Sequence, residues 1–226
     1  MPELRGYQRD IISKTRQEMA SGKRSVLICS PCGSGKTILT AHMLRTAQEK
    51  GLHSWFICHR RELIFQSIQA FKEAGIDVGV VSAGFEKSPL KPIQVCSIQT
   101  LVRRSSKLTK PHFIVWDECD HQVAKTWATI FDQFRDAYHV GLSATPERLD
   151  GSGLDRFYKT IIHGPSVRWL IDNKYLSDFR VFAPPTVSTA GLHTRMGDYV
   201  KEEVSELVDK PSITGNAIEH YRKYAY

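Results

Sequence analysis

The sequence predicts an α/β fold: an open, mostly parallel sheet with helices on both faces, followed by a short helical C-terminal tail. Two observations predict it. Apolar runs of strand length recur up to about residue 165, and amphipathic stretches of helical length lie between them. Runs that are apolar at nearly every position suit strands covered on both faces, as in a parallel sheet.

Taken in order, a first amphipathic helix is expected over 7–20, then a strand at Val26–Cys29 and a helix over 36–50. Trp55–Cys58, the helix 61–74, Val78–Val81 and Ile93–Cys96 continue the alternation. Phe113–Trp116, a helix over 122–134 and Val140–Leu142 complete it. Residues 166–174 read as a short helix and Phe179–Ala183 as a last strand, ended by Pro184 and Pro185, which cannot donate to a ladder. The stretch 186–197 holds Gly191 and Gly197 and reads as loop. Polar helices are expected over 198–208 and 212–225, with Pro211 between them and Ser212 as a cap. This gives one domain over 1–185 and a tail over 186–226. The last helix meets no Gly or Pro stop, so the chain is expected to be the front part of something longer.

Composition narrows the class. The chain has 226 residues, 41% hydrophobic and 24% charged, which fits a soluble globular protein and excludes disorder, collagen and a disulfide scaffold. No apolar stretch is long enough to span a bilayer, and Met1-Pro2-Glu3-Leu4-Arg5 begins no signal peptide. Five cysteines in or beside apolar runs form no disulfide framework, so a reducing, cytoplasmic location is expected. The net charge of +7 is uneven: residues 1–110 hold 18 Lys/Arg against 8 Asp/Glu, and residues 111–226 hold 13 against 16. A basic front half points to a polyanionic partner, with nucleic acid ahead of a membrane surface.

Ser30-Pro31-Cys32-Gly33-Ser34-Gly35-Lys36-Thr37 follows a strand and opens a helix, the context of a phosphate-binding loop. Gly33 and Gly35 let the backbone of the loop, including Ser34, wrap with its N–H groups toward phosphate oxygens. Lys36 can reach the β- and γ-phosphates of ATP, and the Thr37 hydroxyl can ligate Mg2+. The usual pattern starts with Gly or Ala; here Ser30 takes that position. Cys29 and Cys32 have C-x-x-C spacing, but no second pair or thioredoxin-like context supports a redox or zinc reading.

Phe113–Trp116 runs into Asp117 and Glu118. Carboxylates at the end of a buried strand are costly unless a cation or polar network awaits them. In an open α/β sheet ligands sit beyond the carboxyl ends of the strands, so Thr37 and Asp117 can converge on one metal ion, with Glu118 orienting the attacking water.

With these residues in place the chain resembles the first RecA-like domain of a superfamily 2 helicase or translocase, a P-loop NTPase, through motifs spanning residues 4–148. Leu4-Arg5-Gly6-Tyr7-Gln8 resembles the adenine-reading motif, in which Gln8 would pair with the adenine edge and Arg5 pack nearby. His59-Arg60-Arg61-Glu62-Leu63 with Gln66 is similar to motif Ia, and Ser97-Ile98-Gln99-Thr100-Leu101 to motif Ib. The resemblance implies that His59, Arg60, Gln99 and Thr100 line a groove for the nucleic-acid backbone, extended by Arg103, Arg104 and Lys107. Asp117-Glu118-Cys119-Asp120 resembles motif II. The subgroup that looks closest (RadD-like, restriction-subunit-like and phage helicases) has His in the fourth position; here Asp120 holds it and His121 follows, which leaves open which of the two couples to motif III. Gly141-Leu142-Ser143-Ala144-Thr145-Pro146 with Arg148 resembles motif III, where Ser143 and Thr145 would link the nucleotide to the interdomain cleft. Gly164-Pro165-Ser166, Leu170-Ile171 and Lys174-Tyr175-Leu176 resemble the stretch that follows it in the subgroup. DEAD-box RNA helicases read Ala-Asp after Asp-Glu, so DNA is the expected polymer and RNA the alternative.

The resemblance also implies a second RecA-like domain that supplies an arginine finger from a Gln-x-x-Gly-Arg-x-x-Arg helix. No such string occurs here. An arginine finger is worth roughly 10³–10⁵ in rate. The expectation is the ATP-binding half of a nucleic-acid-dependent ATPase that, alone, binds ATP weakly and does not unwind. A nucleic-acid-binding module without turnover and a P-loop kinase are the other readings; the kinase leaves Asp117-Glu118 and Ser143-Ala144-Thr145 unexplained.

Overall fold

The computed structural model describes residues 2–86, 88–120, 125–145, 154–180, 191–195, 198–199, 201–208 and 221–223. The chain divides into two compact units, Met1–Ser177 and Asp178–Tyr226.

In the first unit the expected apolar runs become strands β1 (Ser25–Cys29), β2 (Ser54–Cys58), β3 (Gly79–Val81), β4 (Ile93–Ser97), β5 (Phe113–Trp116) and β6 (Tyr138–Ser143). A further strand, β7 (Thr160–His163), joins them. All seven pair in parallel, in the order β3-β4-β2-β5-β6-β1-β7. The helices are α1 (Gly6–Ala20), α2 (Lys36–Glu49), α3 (Arg61–Glu73), α4 (Ile98–Arg104), α5 (Lys125–Gln133) and α6 (Val167–Asp172).

Alternation within each strand splits the core into two layers. Val26, Ile28, Phe56, Cys58 and Val115 face one cluster, which takes Ile11 and Ile12 of α1, Leu39 and Leu44 of α2, and Ile64 and Phe71 of α3. Leu27, Trp55, Ile57, Ile114 and Trp116 face the other, with Ile98 and Leu101 of α4 and Trp127, Ile130 and Phe131 of α5. Both faces are therefore covered, which is why these strands lack a polar face. Each buried Leu, Ile or Phe contributes about 1.5–3 kcal/mol.

Three expectations are corrected. Helix α4 starts directly where β4 ends, with no loop between them to mark a new element, and the sequence reading placed no helix there. Strand β7 is an edge strand in which Ile162 is buried and Ile161 is exposed, too weak a pattern to read as strand. The segment 186–197 is not all loop, since Thr194–Arg195 (β8) pairs antiparallel with Asp198–Tyr199 (β9), the latter falling where a helix was expected. Helix α7 follows at Lys201–Val208. Phe179 and Arg180 carry no strand pairing, and the rest of that expected strand lies outside the described residues, as does most of the expected helix over 212–225, of which 221–223 are helical.

In the second unit, the His193 backbone N–H donates to Glu203 at 2.7 Å and its ring Nδ1 lies 3.0 Å from the other carboxylate oxygen. Among the described residues no helix is long and apolar enough to cross a membrane.

Candidate active site

Because all the strands run one way, their carboxyl ends share one edge. Across it, from β4 through β2, β5 and β6 to β1, stand Ser97 and α4, then His59 and Arg60, then Asp117 and Glu118, then Ser143–Thr145, then the loop 30–35.

That loop is tightly wound. Gly33 and Gly35 have φ of +77° and +78°, a conformation that other residues adopt at a cost. The Ser30 hydroxyl donates to Ser34 Oγ at 2.8 Å, and Ser34 Oγ donates to the Pro31 carbonyl at 2.7 Å. The Ser30 backbone N–H donates to the Ser143 carbonyl at 2.9 Å, tying the loop to the end of β6. Small Ser30 is therefore an anchor here, not a spacer. Lys36 Nζ folds back onto the Ser30 and Pro31 carbonyls, at 2.9 and 3.3 Å. With its dipole directed at the same loop, α2 makes a cationic cradle suited to phosphate, and Thr37 stands exposed in its first turn.

Gln8, 1% exposed, lies against this loop. Its Nε2 donates to the Ser34 carbonyl at 3.1 Å and to the Gly35 carbonyl at 3.4 Å, while its Oε1 accepts the Arg5 N–H at 3.0 Å. The Tyr7 hydroxyl adds a bond to the Ser34 carbonyl at 2.7 Å. The Arg5 guanidinium lies 4.6 Å from the Tyr175 ring centroid and donates to the Tyr7 hydroxyl at 3.2 Å.

Asp117 is pushed up to about 6, first by burial and then by the charge of Glu118, with the Lys36 ammonium pulling the other way. A divalent cation would relieve this like-charge crowding, and the oxygen donors Asp117 and Thr37 are of the type Mg2+ takes, so the residues fit that ion. Glu118 is held at φ +49°, a left-handed conformation rare for a non-glycine residue and found where a site over-determines the backbone. Its Oε2 lies 3.5 Å from His59 Nδ1. The Arg60 Nε donates to His59 Nε2 at 3.0 Å, so in the neutral ring Nδ1, facing Glu118, is the nitrogen left to donate. Burial pushes the Cys58 thiol beneath the pair up to about 12, Asp117 and Glu118 adding to it, and raises Cys29, Cys96 and Cys119. Thiols shifted this way are poor nucleophiles and ligands.

The Ser143 hydroxyl stands 2.9 Å from Asp120 Oδ1 and 2.6 Å from the Thr145 carbonyl, two acceptors for its one proton, and accepts the Thr145 N–H at 3.1 Å. Asp120 thus reaches the Ser143 turn; His121 and Arg148 lie outside the described residues. On the far side, Gln99 Nε2 donates to the His59 carbonyl at 3.3 Å and Gln99 Oε1 accepts from Ser97 Oγ at 2.6 Å. Arg60 and Arg103 are exposed, with Thr100 and Arg104 half-buried.

Residues 1–148 match the family of the type III restriction enzyme res subunit. The chain belongs to that family. Its fold is that of the N-terminal RecA-like domain of superfamily 2 helicases. A "51.5 kDa protein" of a Lactococcus phage (isolate 7-9) is 32% identical over 199 residues, covering 88% of this chain and 41% of the relative. A DNA 3'-5' translocase, XPB2, of Sulfurisphaera tokodaii is 28% identical over 151 residues, covering 66% and 32%. The UvsW helicase of bacteriophage T4 superposes with a TM-score of 0.61 at 18% identity, over 72% of this chain and 60% of that structure, a likeness of fold. The chain thus spans less than half of either curated relative.

Within this res-subunit fold, sequence reasoning missed an aromatic cluster beside the phosphate loop. The Tyr7, Trp169 and Tyr175 rings lie 5.4–5.8 Å apart, and Leu176 closes on Gly33. Tyr7 adjoins Gln8 and Tyr175 adjoins Leu176, so their positions beside noted residues were the available signal.

Proposed function

We propose that the chain is the ATP-binding and ATP-hydrolysing half of a nucleic-acid-dependent ATPase, a DNA helicase or translocase. One observation carries this. Lys36, Asp117 and Glu118 gather at one sheet edge, and Glu118 in turn meets His59 on the basic side.

Lys36 and the loop N–H groups would grip the phosphates, and Gln8 with Arg5 would meet the adenine. Thr37 and Asp117 would hold Mg2+, whose charge offsets that of the phosphates. Glu118 orients a water in line with the γ-phosphate. As the bond from water oxygen to phosphorus forms, the β–γ bridging bond breaks, ADP leaves and the water proton passes toward Glu118. Ser143, Thr145 and Asp120, with His121, transmit the state of the site to the interdomain cleft. His59, Arg60, Gln99, Thr100, Arg103 and Arg104 hold the polymer backbone. Full turnover and unwinding need a second RecA-like domain, consistent with the short share of the relatives that the chain spans. DNA is preferred to RNA here because Cys119-Asp120 follows Asp117-Glu118, where DEAD-box RNA helicases read Ala-Asp. The free thiols fit a cytoplasmic location.

ATP hydrolysis measured with and without single-stranded DNA, on this chain and on a form carrying the second domain, tests the reading. Stimulation of the two-domain form by DNA is expected. Transfer of phosphate to an acceptor without stimulation makes the protein a kinase, and DNA binding with no turnover in either form leaves only a binding module.

A further inference from the structure

The basic side of the sheet edge carries an aromatic surface that gripping phosphates does not explain. Phe65, in the second turn of α3, is 51% exposed. Its ring centroid lies 4.8 Å from that of Phe85, which follows β3 at the same edge and packs against the core. Arg61, one turn before Phe65, sets its guanidinium 5.8 Å from the Phe65 ring centroid. Gly84 keeps the chain close, its φ of +81° bringing the Cβ position to 3.4 Å from Arg61 Nη2. Phe65 is thus braced by an anchored ring tilted at 45° to it, and the Arg61 guanidinium stands over the Phe65 ring at a distance. Arg60 is next along the chain, and Arg103 and Lys107 stand exposed after β4, the neighbour of both β2 and β3. Glu62 and Glu73 of α3 and Glu86 after β3 are the acidic residues of these same segments.

An exposed ring set among arginines suits a ligand that offers both a flat π-face and negative charge. A nucleotide supplies both. Its π-face matches an aromatic ring, and its phosphates match the cations, whereas an apolar peptide would leave the arginines unmatched. We infer that Phe65, braced by Phe85 and flanked by Arg61, is a stacking platform for an unpaired base of single-stranded DNA. A base inside a duplex is already stacked on both sides and cannot use it. The inference rests on the nucleic-acid reading of this edge and deepens it, because it makes the grip selective for single strands.

The test is a cycle of two proteins and two strands. Wild type and Phe65→Ala are titrated by fluorescence anisotropy with an oligothymidylate and with an abasic oligomer of the same length, at one low salt concentration. Phe65→Ala is expected to weaken oligothymidylate binding roughly tenfold and abasic binding not at all. Phe65→Tyr keeps the ring and is expected to restore the wild-type value, which a general loss of folding in Phe65→Ala would not predict. If Phe65→Ala weakens both strands equally, or neither while Arg60→Ala weakens both, the platform is wrong and the phosphate grip stands. If wild type binds neither strand, the groove reading fails and takes the platform with it.

Discussion

The two ends of the sheet edge are built differently. At the β1 end the side chains are already engaged with the chain itself: Gln8, Ser30, Ser34 and Lys36 all bond within the loop or to its carbonyls. At the β2–β4 end, Arg60 and Arg103 are exposed. The difference follows from the ligands. A triphosphate is small and must be held in one geometry to react, so a preformed loop avoids ordering costs on binding. A polymer backbone must slide, which suits long cations on a solvated face. His59 stands between, with Arg60 on one nitrogen and Glu118 on the other side of the ring.

The largest effect is expected at the preformed end. Lys36→Ala is expected to lower ATP hydrolysis by the two-domain form by more than about 100-fold, the scale of losing one charge-stabilising group. A steady-state ATPase assay checks it, and an unchanged melting temperature shows that the fold survives. A loss under tenfold would mean that the loop does not hold a reacting phosphate.

Gly35→Ala tests the geometry alone. A Cβ there would stand 2.5 Å from Gln8 Nε2, on a backbone at φ +78°. The expected cost is about 2–3 kcal/mol. By thermal melting this is a fall of roughly 4–12 °C, together with weaker nucleotide binding. Gly84→Ala, at the basic end, has a positive φ but meets only Arg61 Nη2 at 3.4 Å, a mobile tip. It should cost about 1 kcal/mol. Equal costs at the two glycines would remove the contrast in preorganisation.

The charge of Asp117 is the next effect in size. Its folded pKa of about 6 lies above the ordinary 3.8. A raised value gives stability that is fully present below pH 3.8 and lost as pH rises through 6. At pH 8 the ionised carboxylate therefore destabilises the nucleotide-free fold, by about 1–2 kcal/mol for a half-buried group. Asp117→Asn should melt higher than wild type at pH 8, with the gap closing toward pH 4. A gap that widens as pH falls would mean the carboxylate is stabilised by a partner.

Much of this was legible in the sequence, for definite reasons. A buried parallel strand must be apolar throughout, so β1, β2 and β5 announced themselves, and the loop and carboxylates follow strand ends at readable positions. Edge strand β7 was not legible because solvent on one side removes the need for apolar residues there. That Asp120 reaches Ser143 was not legible, because no spacing encodes how a side chain is turned. Gln8 read as a partner for adenine; its bonds to the loop carbonyls depend on how α1 packs against β1, a long-range fact. Phe65 was passed over because an aromatic residue in an amphipathic helix reads as core until its exposure is known.

The smallest effect probes the exposed end. Arg103 is exposed in the last turn of α4, and if it meets one phosphate its loss releases one fewer counterion. Arg103→Ala should weaken single-stranded DNA binding only several-fold near physiological salt, yet uniformly across sequences. The slope of log affinity against log salt should become shallower by about 0.7. Affinity measured across a salt series detects this even where a single condition would miss it. The same series on Phe65→Ala should shift the line without changing its slope, because stacking releases no ions. Parallel lines for Arg103→Ala would mean that its charge faces solvent alone, and that the grip lies nearer the sheet, at His59, Arg60 and Gln99.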